Sequence, residues 1–197
     1  DKHGAVLIFD EIQTGFRVNL SGAQGLYGVT PDITCLGKAL SGGFPISAIG
    51  GRREIMELIA DRRVFHAGTY NSNPLCLAAI PAVVSVLSQS GVYDRMESLS
   101  RRLRQGLAEL LRPIGGYVQG TNTMFGLGFG PGPGSSMRDL WHNDADRIFE
   151  LKRELRLRGV YTKPTPRDIW YVSTAHTEGD ISATLDRAEV AVSALAV

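Results

Sequence analysis

In the stretch PDITCLGKALSGGFP, residues 31–45, a single lysine stands among small and apolar residues. Ile33 to Leu36 is a short apolar run of the kind that forms a strand. Lys38 lies just past its end, and Ser41-Gly42-Gly43 then turns the chain. Lysines mostly occupy solvated faces, because burying an ammonium is expensive. Here Lys38 is either an ordinary turn residue or an amine that a site requires.

Upstream, DKHGAVLIFDE carries an apolar run over 5–9. It predicts a strand at 5–10 buried on both faces and ending in Asp10-Glu11. Such a strand needs neighbours on both sides. The expectation is therefore that an N-terminal portion of the natural protein precedes it, and that the 197-residue chain alone is poorly soluble or forms soluble oligomers of ill-defined size. A loop rich in Gly and Asn leads to the strand at 33–36. A further strand follows at 46–49, then a helix over 52–60. Past the loop VFHAGTYNSNP comes an apolar helix over 75–87, with Pro74 suited to its first turn.

After SQSG at 88–91 the texture changes. Residues 93–111 carry leucines at 99, 103, 107, 110 and 111 with arginines between them, the pattern of an amphipathic helix. Two short strands are predicted over 117–129, a loop over 128–136, a charged helix over 145–158 and a strand over 169–173. A last helix runs from Thr177, with acidic residues near its start. The reading is an α/β portion over 1–88 followed by an α+β domain over 89–197.

Composition narrows the function. With 21 Lys+Arg against 20 Asp+Glu, the formal net charge of +1 argues against nucleic acid or an anionic membrane as partner. No apolar run is long enough to span a bilayer. Two cysteines, Cys35 and Cys76, in apolar surroundings fit a reduced, cytoplasmic setting. The histidines His3, His66, His142 and His176 have no metal-site spacing. A phosphate loop fails because Ala39 follows Gly37-Lys38, and GLGFGPGPG has proline or serine where a dinucleotide fold needs its third glycine. Arg101, Arg102 and Arg104 are read as a solvated basic face flanked by Glu97 and Glu109.

Open α/β sheets place their chemistry beyond the carboxyl ends of the strands. Asp10 ends one predicted strand and Lys38 nearly ends another, with enough chain between them for a crossover. A carboxylate can keep a pyridine nitrogen protonated, and an amine can form a Schiff base with an aldehyde. Together they suit pyridoxal phosphate.

Three blocks now carry a resemblance: LIFDEIQTGFR, PDITCLGKALSGGFPISAIGGR and HAGTYNSNPL. In this order and spacing they resemble the class III aminotransferases of fold type I, closest to the branch of glutamate-1-semialdehyde aminomutase and related transaminases. YVSTAHTEGDI near the end also resembles that branch. The resemblance implies that Asp10 bonds the pyridine nitrogen, Ile12 packs on one ring face and Gln13 lies near the ring hydroxyl. Lys38 would hold the cofactor as a Schiff base and then move the proton between carbon atoms. Thr69, with the Gly68 backbone, would bind the phosphate of the partner subunit's cofactor, so that two subunits of a homodimer share each site. The polar cluster of Gly68, Thr69, Asn71 and Asn73 before an apolar helix also suits an anion.

The implied activity is pyridoxal-phosphate-dependent transfer of an amino group between a small-molecule donor and a carbonyl acceptor. One alternative is glutamate-1-semialdehyde 2,1-aminomutase. Another, of a different class, is a non-catalytic folding or dimerisation fragment. Gln13 leans toward the transaminases, whereas Arg17 and GAQGLYGVTPD lean toward the aminomutase. Family members also carry an upstream half that supplies their own phosphate turn and a stacked aromatic ring, so this chain alone is expected to be inactive.

Overall fold

The computed structural model describes residues 2–167 and 169–195. Two compact units divide the chain at Tyr93–Asp94.

The first unit is built on a three-stranded sheet in the order β1 (Ile8–Asp10), β2 (Ile33–Leu36) and β3 (Ala48–Gly51). β1 runs parallel to β2, with Ile8 opposite Ile33 and Asp10 opposite Cys35, and β3 runs antiparallel on the other side. A parallel pair requires a crossover. Here it contains helix α1 (Gly22–Tyr27), in a stretch read from sequence as loop because GAQGLY carries two glycines. Helix α2 (Arg53–Ala60) and helix α3 (Pro74–Leu87) complete the unit. Pro74 sits in the first turn of α3, where its missing N–H costs nothing. The Asn73 side chain accepts from the N–H groups of Leu75 and Cys76 at 3.0 and 3.4 Å. The Asn73 side-chain oxygen thus caps its own helix, a bond that does not use the NH₂ donors the sequence reading assigned to an anion.

Two expectations need correction. β3 lies two residues beyond the predicted 46–49, because Gly50 and Gly51 are the residues that pair with Thr34 and Ile33. β1 is not buried on both faces: Val6 and Ile8 are each 55% exposed. Among the described residues β2 is its only strand partner, and one neighbouring strand does not cover two faces.

Asp32 staples this sheet. Its Oδ2 accepts from the Leu7 N–H at 2.8 Å and its Oδ1 from Arg52 at 3.0 Å. These bonds to the Leu7 backbone and to the guanidinium hold the carboxyl below its ordinary value.

The second unit pairs a sheet in the order β4 (Gly116–Thr121), β5 (Met124–Phe129) and β6 (Trp170–Tyr171) with helices α4 (Val92–Leu111), α6 (Ala145–Leu157) and α7 (Glu178–Leu195). All pairings are antiparallel. The leucine stripe of α4 closes onto Phe125 and Phe129 of β5, Leu151 and Leu155 of α6, and Ile181 and Ala188 of α7. Each such leucine contributes about 1.5–3 kcal/mol on burial. A short helix, α5 (Met137–Leu140), follows the proline-rich loop and is started by a capping box between Ser136 and Asp139. Arg101 and Arg102 of α4 are exposed, as a solvated face requires, while Arg104 is half-buried, and the face is tied by ion pairs. Arg102 bonds Glu178 and Ser182 at 2.5 and 2.8 Å, and Arg104 bonds Glu97 at 2.8 Å.

Candidate active site

The parallel register of β1 and β2 builds the site. Asp10 closes β1 opposite Cys35, and Lys38 follows Cys35 by one further strand residue and Gly37. Carboxylate and amine thus leave the same end of adjacent strands, the edge where α/β sheets bind ligands. Both residues are exposed. Asp10 Oδ1 accepts from the Ile12 N–H at 3.1 Å, which folds the chain back over the strand end. Ile12 then packs over Gly37, where a Cβ would lie 3.5 Å from Ile12 Cγ2. Ile12 is in this way brought beside the residue that precedes Lys38.

Lys38 has φ +46°, in the left-handed region, and opens a 3₁₀ turn over Lys38–Ser41. A non-glycine residue there costs about 1–2 kcal/mol, and such outliers cluster at functional positions. The turn is anchored beneath. Leu40 and Ser41 are buried, and the Ser41 hydroxyl donates to the Phe44 carbonyl at 2.6 Å. At Gly42, φ +64°, a Cβ would meet Val83 Cγ2 of α3 at 3.0 Å, so a close approach and a positive φ together require glycine.

Sequence reasoning missed Glu11. It is 1% exposed, and its carboxylate accepts from Ala23 N–H, Gln24 N–H and the Thr14 hydroxyl at 2.7, 2.8 and 2.5 Å. The signal lay in Asp-Glu followed eleven residues later by Gly22, but a through-space cap has no sequence spacing to reveal it. Gln13 is exposed in the loop after Ile12.

Gly68 and Thr69 lie in an exposed loop in which Asn71 N–H donates to the Gly68 carbonyl at 3.0 Å. Among the described residues no hydrogen bond or ion pair joins this turn to Asp10 or Lys38. The structure therefore brings Asp10, Ile12 and Lys38 together and leaves Gly68–Thr69 unconnected to them. Cys35 and Cys76 are both free thiols. Among the described residues no group of His, Cys, Asp and Glu could hold a metal ion, and no single helix is long and apolar enough to cross a membrane.

Comparison with known proteins identifies the family. The family profile described as Aminotransferase class-III matches residues 1–177. A curated relative, glutamate-1-semialdehyde 2,1-aminomutase of Desulfatibacillum aliphaticivorans, is 43% identical over 192 residues, which are 96% of this chain and 45% of the relative. The chain thus spans less than half the length of that relative. Among solved structures, an omega-transaminase from Sphaerobacter thermophilus superposes with a TM-score of 0.86 at 30% identity, covering 100% of this chain and 46% of that one. A transaminase solved with PLP bound gives a TM-score of 0.84 at 25% identity, over 99% of this chain and 45% of that one.

Proposed function

This chain belongs to the class-III aminotransferase family, and on that premise we propose that the whole protein is a pyridoxal-phosphate-dependent enzyme that moves an amino group from a small-molecule donor to a carbonyl acceptor. One observation carries the reading: the parallel pairing of β1 with β2 sets Asp10 and Lys38 at the carboxyl ends of adjacent strands. Residues 1–88 are the C-terminal part of the cofactor-binding large domain and 89–197 the small domain.

The residues present fit the cofactor. Along one sheet edge they offer a carboxylate, an aliphatic side chain over a glycine and a primary amine, which match a pyridine nitrogen, a ring face and an aldehyde in turn. Asp10 holds a proton on the ring nitrogen. Ile12 packs on one ring face and excludes water from it. Gln13 lies by the ring hydroxyl. Lys38 Nζ would hold the cofactor through its aldehyde and, once displaced by the substrate's own amino group, would as a free amine carry the proton removed from the substrate carbon. When bound, the cofactor supplies a carbonyl carbon that accepts the amino group and a ring that draws off the electron pair.

Gly68 and Thr69 hold the phosphate of the cofactor in the partner subunit. The exposed polar turn of Gly68, Thr69 and Asn71 supports that role. The whole protein is accordingly a homodimer with shared sites. Two free thiols support a cytoplasmic setting.

A second reading is the intramolecular version of the reaction, favoured by the name of the curated relative, glutamate-1-semialdehyde 2,1-aminomutase. Assaying the complete protein with glutamate semialdehyde, and separately with an amino donor plus a keto acid, tests both. Turnover only of the semialdehyde assigns the aminomutase. Turnover of donor and acceptor assigns the transaminase. Failure of both in protein that retains pyridoxal phosphate rejects amino-group transfer.

A further inference from the structure

We propose that Glu11 is a positioning residue that sets the cofactor-facing loop, and that it does so as a carboxylate. The proposal rests on the reading of Asp10, Ile12 and Lys38 as the cofactor rim. Glu11 stands between Asp10 and Ile12, so whatever fixes its backbone fixes theirs.

Five hydrogen bonds converge on this residue. Its N–H donates to the Cys35 carbonyl of β2 at 2.9 Å, and its own carbonyl accepts from the Gly15 N–H at 2.8 Å. Its side chain accepts from the Ala23 and Gln24 amides at the start of α1, at 2.7 and 2.8 Å, and from Thr14 Oγ1 at 2.5 Å. Strand end, tight turn and crossover helix are all referred to one buried side chain.

Two glycines keep the space for it. At Gly22, φ +66°, a Cβ would fall within 2.7 Å of the carboxylate carbon. At Gly15 a Cβ would lie 2.7 Å from the Glu11 carbonyl oxygen and 2.8 Å from Leu36 Cδ2. A buried carboxylate is tolerated only when its oxygens are fully hydrogen-bonded, and helix amides favour a negative charge. Here two amides and a hydroxyl are aimed at two oxygens. Glutamine at this position has one carbonyl oxygen, and its NH₂ would face an N–H donor. Glu11→Gln therefore leaves at least one amide without an acceptor and frees the loop that carries Asp10 and Ile12.

The test compares four forms of the complete protein: wild type, Glu11→Gln, Thr14→Val, and Leu155→Ala in the core of the second unit as a control that lowers stability without altering any residue of the first. Each apoprotein is titrated with pyridoxal phosphate. The pH dependence of the bound cofactor's visible absorbance and the hydrogen exchange of the Ala23 and Gln24 amides are also followed. Glu11→Gln is expected to weaken cofactor binding about tenfold or more, shift the absorbance profile and speed exchange at both amides. Thr14→Val, which removes one donor and leaves the fold intact, is expected to act in the same direction by about two- to threefold. Leu155→Ala should leave affinity and spectrum within about twofold of wild type.

If Glu11→Gln does not fold, Thr14→Val decides, and wild-type affinity and spectrum in that variant overturn the proposal. A folded Glu11→Gln that binds and absorbs as wild type, or that shifts no more than Leu155→Ala, also overturns it. Wild-type protein that binds no pyridoxal phosphate overturns the functional reading and this proposal with it. Wild-type binding with an indifferent Glu11→Gln overturns this proposal alone.

Discussion

Helices α3 and α4 make an instructive pair. PLCLAAIPAVVSVL in α3 is apolar nearly all round, yet Cys76 is its only buried residue, and Leu75 is 69% exposed. VYDRMESLSRRLRQGLAELL in α4 is studded with charge, yet Met96, Leu99, Ser100, Leu103, Leu107 and Leu111 are all buried. The same contrast holds between the units that contain them. The first exposes Val6, Leu7, Ile8, Phe65 and Leu77, whereas the second, although Trp141, Leu157 and Tyr161 are exposed, builds one continuous core from α4, β5, α6 and α7. Apolar content alone does not bury a helix. Burial requires a stripe at helical spacing and another element within the chain to meet it. The second unit supplies both. The first directs its order into polar ties around Glu11 and Asp32 and holds the proposed cofactor rim at its sheet edge.

If the units divide chemistry from stability in this way, Lys38→Ala should produce the largest change and leave stability almost untouched. In the whole protein it should abolish the visible absorbance of lysine-bound cofactor and lower turnover by about 10³-fold or more. Wild-type absorbance and turnover would remove Lys38 from the site.

Next in size is a cavity in the second core. Leu155 is fully buried, so Leu155→Ala should destabilise that unit by about 2–5 kcal/mol in denaturant unfolding. A loss under 1 kcal/mol would mean that the core collapses around the gap and is less tightly packed than its burial implies.

A smaller effect is expected at Tyr93, whose hydroxyl donates to the Phe16 carbonyl at 3.0 Å. Tyr93→Phe should cost about 1 kcal/mol. Burial pushes the Tyr93 phenol up to about 12 from its ordinary 10.0. The folded state thus holds the neutral form. Its contribution is complete below pH 10 and is lost as pH rises from there through about 12. Wild type should lose stability across that window, and Tyr93→Phe should lack this part of the decline. Identical alkaline limbs would remove the Tyr93 contribution.

The least effect should come from Ile8→Thr. Ile8 is 55% exposed, and threonine keeps the β-branch that suits a strand. In this chain the change should stay within about 0.5 kcal/mol by thermal unfolding. A cost as large as that of Leu155→Ala would show the apolar face of β1 to be covered, and the contrast between the units would collapse.

Much of this was legible in the residues themselves. The strand at 33–36, the leucine period of α4, the first-turn proline of α3 and the acidic start of α7 are local signals. Steric preference, helical periodicity and capping act over a few neighbouring residues, so a sequence displays them directly. Asp10 and Lys38 could be picked out for the same reason, each as a charged group at or just past the end of an apolar run. What the sequence could not fix depends on partners distant along the chain. That Asp10 stands opposite Cys35 is a matter of register, set by which backbone groups pair. That an apolar strand is left exposed depends on what covers it. That Gly22-Ala23-Gln24 starts a helix at all depends on a carboxylate eleven residues earlier reaching its amides. Hydrogen bonding and burial act through space, and only the tertiary structure brings Glu11, Thr14 and α1 to one point, because a buried charge is stable only where its donors have already been assembled around it.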